Sequence, residues 1–213
     1  DVSRAPDTKT DLLIQLPALA ETMETQQAVD YLFALVQQED PIVKMEALES
    51  LHKIKARFPH LTIGWKRLIP VITGDIDLYK DTLVLSYTAQ HSLERYKDDQ
   101  KISLALNELI ELLERRRNNM LEHIFWVIGL AYPPNVILPL YKELQHEDPA
   151  IRMNTVELRE NILEPALKKI VIPIVGTTAL ETRSDEVLAR LDLEIRTKQS
   201  SFERLLKGDD DLV

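Results

Sequence analysis

Along most of this chain apolar residues return every three or four positions rather than every second one. In "DPIVKMEALESLHKIKARFP" (40–59) they fall at Val43, Ala47, Leu51, Ile54 and Phe58, which is one face of a helix. The same spacing recurs at Leu78, Thr82, Leu85, Ala89, Leu93 and Tyr96, and again at Ile151, Thr155, Leu158 and Ile162. Read this way, the chain predicts helices over 11–22, 25–38, 41–57, 62–73, 77–96, 99–115, 117–131, 135–145, 149–163, 165–175, 184–197 and 199–207. The β-branched run "KIVIPIV" (169–175) carries Pro173 inside it, which a central strand tolerates poorly, so it is read as helix. Residues 1–10 are polar and read as a linker.

Punctuation between these segments repeats. "EDPIVKMEALESL" (39–51) and "EDPAIRMNTVELR" (147–159) are identical at five of thirteen positions and lie 108 residues apart, three times 36. Asp40 and Asp148 suit the N-cap, where a carboxylate accepts from free backbone N–H groups. Pro41 and Pro149 suit the first helical position, where a missing N–H costs nothing. Met45 and Met153 read as packing residues. Between the two boxes, "GDIDLYK" (74–80) and "LERRRNN" (113–119) fall near the starts that such a period requires. A two-helix unit of about 36 residues is the mark of an α-solenoid. Its Asp-Pro-x-(Val/Ile)-(Lys/Arg) opening is of the HEAT type; tetratricopeptide spacing does not fit. The expected fold is therefore all-α: an α-α superhelix of about five to six stacked hairpins, forming one domain over 11–213. The chain opens at Asp1 without Met and reads as a fragment of a longer protein or a processed chain.

Composition narrows the chemistry. Of 213 residues, 45% are apolar, enough for a substantial core. The net charge of −9 argues against a nucleic-acid partner, which calls for a basic face. With no cysteine there is no disulfide scaffold, no thiol nucleophile and no Cys-ligated zinc. The weakly charged run 124–141 is broken by Pro133, Pro134 and Pro139, so no membrane span is expected.

Candidate side chains are few. Arg115, Arg116 and Arg117 form the one dense basic run. They would serve either as an anion or acidic-surface contact, or as a helix C-terminal stretch stabilised by the dipole and by Glu111 and Glu114. The histidines, His52, His60, His91, His123 and His146, are scattered, without the i, i+4 pair that zinc favours. Asn154 and Asn161, two helical turns apart, are candidates to bond backbone groups in inter-repeat turns, or else to contact a ligand on the concave side. Trp65 and Trp126 are either core or hot-spot anchors. Gly129 would allow close helix packing before the prolines end the segment. Asp209, Asp210 and Asp211 lack the alternating spacing of a calcium loop. No catalytic residue, cofactor site or metal site is predicted.

One stretch carries more. Ile124, Phe125, Ile128, Gly129, Leu130, Tyr132 and Pro133 are followed by Arg152, Asn154, Val156, Glu157, Leu158, Glu160, Asn161, Ile162 and Leu163. Over 114–175 this resembles the HEAT-repeat region attached to bacterial ATP/ADP-carrier-like transporters, the nucleotide-transporter branch of the major facilitator superfamily. Arg159 departs, since that family has an apolar residue there. The resemblance implies a non-catalytic interaction or regulatory domain, the soluble part of a membrane transporter. It would lie in the cytoplasm, tethered to the inner membrane through a transporter domain outside this chain. Its partner would be a protein, or a neighbouring domain of the same polypeptide. A free-standing scaffold or spacer is the alternative, and an enzyme on a helical-repeat scaffold the remote one.

Overall fold

The computed structural model describes residues 17, 19–38, 40–132, 134–148, 150–152 and 163–180. Among these residues the secondary structure is helical and no strand occurs. The named helices are α1 (Gln26–Leu35), α2 (Pro41–Arg57), α3 (Trp65–Arg95), α4 (Gln100–Gly129), α5 (Pro134–Leu144) and α6 (Pro165–Leu180). None is long and apolar enough to cross a membrane.

The helix starts follow from short-range chemistry. Thr25 caps α1, its Oγ1 accepting from Ala28 N at 3.1 Å. Asp40 caps α2, its Oδ1 accepting from Ile42 N at 2.8 Å and Val43 N at 3.1 Å, with Pro41 in the first turn. Asp99 accepts from Lys101 N and Ile102 N, both at 3.1 Å, ahead of α4. Asp148 accepts from Ala150 N at 2.8 Å at the second Glu-Asp-Pro box. Arg152, 5% exposed, closes that turn by donating from Nη1 to the carbonyls of His146 and Glu147. Pro149, Asn154 and Asn161 lie outside the described residues, as does Asp209–Asp211.

The expected regular hairpins fail in the middle of the chain. The separate helices predicted over 62–73 and 77–96 are one helix, α3, of 31 residues. Those predicted over 99–115 and 117–131 are one helix, α4, of 30 residues. The starts expected near 76 and 114 are therefore helix interiors. Each of these helices is about 45 Å long, which a two-helix unit of 36 residues cannot contain. Apolar phase explains why neither breaks. Leu68, Ile72, Ile76, Tyr79 and Leu83 are all buried and step by four, four, three and four straight past Gly74. Glycine inside a helix costs only about 1 kcal/mol, less than burying even one of those side chains returns, about 1.5–3 kcal/mol. On α4 the buried positions Leu106, Ile110 and Leu113 resume at Leu121, Ile124 and Ile128, with half-buried Arg117 and Met120 between them, so buried residues stand on both sides of Asn118 and Asn119.

The chain divides into two compact units, residues 1–72 with 123–141, and residues 73–122 with 142–213. In the first, α1 packs on α2. The core there holds Leu32 and Phe33 of α1, Leu48, Leu51 and Ile54 of α2, and Phe125 of α4, each at most 2% exposed. In the second unit, Ala89 packs with Leu106 and Ile110, with Leu93 and Leu109 at the edge. Small residues Thr82, Ser86 and Ala89 line one side of α3 and are all buried. Thr82 and Thr88 return their hydroxyls to the carbonyls four residues back, at 2.8 Å each.

Candidate functional site

The predicted basic run is not a helix terminus. Arg115, Arg116 and Arg117 sit in the interior of α4, so the dipole argument for them does not apply. They also diverge. Arg115 is exposed and donates from Nε to the Glu111 carbonyl of its own helix at 3.4 Å. Arg116 and Arg117 are half-buried, and Arg117 faces Tyr87, whose hydroxyl burial pushes upward in pKa. The histidines do not converge either, and among the described residues no three His, Asp or Glu side chains gather as a metal would need. His146 instead accepts from Asp148 N at its Nδ1, 3.0 Å away.

The unit formed by residues 1–72 and 123–141 holds a different cluster. The last four carbonyls of a helix have no partner within it. For α4 these belong to Trp126, Val127, Ile128 and Gly129. The chain tightens there: Leu130 N donates to the Val127 carbonyl at 3.1 Å, and Ala131 N and Tyr132 N donate to that of Ile128 at 2.9 and 3.2 Å. Two side chains of α2 supply the rest. His52 Nε2 lies 2.8 Å from the Trp126 carbonyl and donates to it. Lys55 Nζ donates to the carbonyls of Leu130 (2.6 Å), Tyr132 (3.2 Å) and Gly129 (3.4 Å). Residues 52 and 55 are one turn apart on α2, so a single face of that helix completes the end of α4.

Charge and burial fit this role. Burial draws the His52 pKa below its ordinary 6.5, with the nearby Lys55 cation acting in the same direction and the Trp126 carbonyl opposing. The neutral ring carries its hydrogen on Nε2, leaving a buried Nδ1 with no partner. The ring stands edge-on to Trp126, centroids 4.9 Å apart at 83°. Burial also draws Lys55 down from the usual lysine value. Three carbonyls at the negative end of a helix hold its charged form, since a neutral amine has only two hydrogens to donate. Gly129 meets the other side of the His52 ring: a Cβ there would lie 2.8 Å from Cε1. Gly129 thus does permit a close approach, to an imidazole.

Beside this clamp a cleft of about 150 Å³ opens, walled by Val29, Leu51, Ile54, Leu130, Ala131 and the segment Pro59 to Trp65. Lys55 and Thr62 add polar atoms to its lining. Trp65 is half-buried and stacks edge-on to Tyr132, centroids 5.2 Å apart. Gln26 of α1 ties down the loop by donating to the Thr62 carbonyl at 3.1 Å. Metabolite sites span roughly 300–1,000 Å³, whereas about 150 Å³ accepts a benzene-sized group. The cleft therefore suits a single apolar side chain rather than a nucleotide or a sugar.

Nothing local marks His52 or Lys55 in the sequence, because their partners lie 74 to 77 residues away. The signals for the cleft were Trp65 and the proline-bounded end of α2, neither of which specifies a cavity. No family model, curated protein or solved structure matches this chain.

Proposed function

We propose that the chain is a non-catalytic helical interaction module that engages its partner through the cleft beside Trp65. One observation supports this above others: an apolar cleft of about 150 Å³ with an indole at its wall, the shape of a pocket for one anchoring side chain. The two titratable side chains next to it, buried His52 and half-buried Lys55, are engaged with backbone carbonyls at the end of α4 rather than aimed at a reacting centre. The resemblance over 114–175 makes a transporter domain, on the same polypeptide or another, the first partner to test.

A photoreactive phenylalanine analogue placed at Leu61, on the cleft, and separately at exposed Glu94 provides the test. In cells, Leu61 should give one defined adduct that Glu94 does not. A spacer would give no site-dependent adduct, and that outcome would sink the proposal.

A further inference from the structure

We infer that the cleft takes a short acidic segment carrying one bulky apolar side chain. This rests on the interaction reading above and goes beyond it by naming the chemistry of the partner. The chain as a whole carries −9, yet residues 50–74, which supply most of the cleft, contain five Lys or Arg and no Asp or Glu. Some of that charge is already answered from neighbouring elements. Glu21 pairs with Lys53 at 3.1 Å, Asp30 pairs with Arg67, and Lys55 is held by carbonyls.

Arg57, whose guanidinium lies 5.3 Å from the centroid of the Phe58 ring, and Lys66 are left without a carboxylate. Both are exposed, and neither forms an ion pair among the described residues. They bracket the cleft along the chain, Arg57 just before Pro59 and Lys66 just after Trp65. Trp65 is also the first residue of α3, so the positive end of a 31-residue helix lies at the same rim. An apolar anchor alone fits the volume. Carboxylates on either side of it fit the charge, and a basic or neutral segment meets the cation pair without compensation.

Five-residue peptides labelled with fluorescein test this on the full chain by fluorescence anisotropy. The probes are Asp-Asp-Phe-Asp-Asp, Asn-Asn-Phe-Asn-Asn, Lys-Lys-Phe-Lys-Lys and Asp-Asp-Ala-Asp-Asp. The first should bind at least tenfold tighter than the second, with an advantage that shrinks as salt is raised. The last two should not bind measurably. Arg57→Ala with Lys66→Ala should remove the advantage while leaving the Asn peptide unchanged, and both substitutions are exposed, so folding is retained. Ala131→Leu, which fills the cleft, should abolish binding of both. Equal binding of the Asp and Asn peptides overturns this inference and leaves the interaction reading standing. Binding of no peptide at all overturns both. Binding of the acidic peptide that survives Ala131→Leu overturns the assignment to this cleft.

Discussion

Gly129→Ala sets two known effects against each other, and the structure decides the sign. Inside a helix alanine is favoured over glycine by up to about 1 kcal/mol. Gly129 is the last residue of α4 and is not in the left-handed region, so its backbone alone would accept alanine. The new methyl, however, would sit 2.8 Å from His52 Cε1 and 3.4 Å from Nε2. That ring cannot retreat freely. It is 8% exposed, stands edge-on to Trp126, and is held by the 2.8 Å bond to the Trp126 carbonyl. If the ring stays, the overpacking costs about 1–3 kcal/mol. If it swings away, the part-buried Trp126 carbonyl loses its donor, at a similar cost of about 1–3 kcal/mol. The two costs are alternatives, so after the full propensity gain the expected destabilisation is about 0–2 kcal/mol.

Urea unfolding followed by tryptophan fluorescence reads this directly, and a second background isolates the cause. In His52→Ala the clash is gone, so Gly129→Ala should be neutral or stabilising there. The coupling between the two sites should reach at least about 1 kcal/mol. A higher urea midpoint for Gly129→Ala in the natural background would refute the reasoning. So would an equal effect in both backgrounds.

Other outcomes follow from the same cluster and from the helix caps. Because the folded chain holds the His52 pKa below 6.5, the unfolded chain binds the extra proton first. Stability should be full well above pH 6.5 and fall as pH drops below it toward the folded value; His52→Gln should flatten that fall in urea titrations. Lys55→Met keeps the stem but leaves three carbonyls without their donor. It should cost about 1–3 kcal/mol by chemical denaturation, and an unchanged midpoint would show that solvent replaces the ammonium. Asp40→Ala should cost about 0.5–2 kcal/mol and Asp40→Asn much less, measured the same way.

What could be read in advance was what lies close along the chain. The box around Asp40 and Pro41 fixed the start of α2, and Pro59 its end, because capping is decided within three or four residues. The all-helical class followed from apolar periodicity. The helix count in the middle did not. Gly74 and Asn118-Asn119 are weak local stops, and they lose to apolar residues buried on both sides of them, in unbroken phase past Gly74. The same misreading placed Arg115–Arg117 at a helix end. The clamp was invisible for a different reason. A histidine and a lysine one turn apart on α2 look like any polar flank until the fold brings the end of α4 against them. Gly129 was half legible: the sequence asked for a close approach without naming the neighbour.

Stability and binding meet at Lys55. Leu130 and Ala131 form part of the cleft wall, and they follow α4 in the stretch whose carbonyls Lys55 holds. Loosening that stretch should therefore deform the cleft as well as weaken the fold. Asp40 lies at the other end of α2, fifteen residues or about 22 Å away along the helix. Its loss should lower stability without touching the cleft. Lys55→Met and Asp40→Ala can thus be similarly destabilised, yet only the first should weaken binding of Asp-Asp-Phe-Asp-Asp. Linkage supplies the converse measurement. A ligand at a hundred times its Kd stabilises the fold it binds by about 2.7 kcal/mol. That gain should be intact in Asp40→Ala and reduced in Lys55→Met. Equal reductions in both would mean that the cleft senses overall stability, and that Lys55 has no particular part in shaping it.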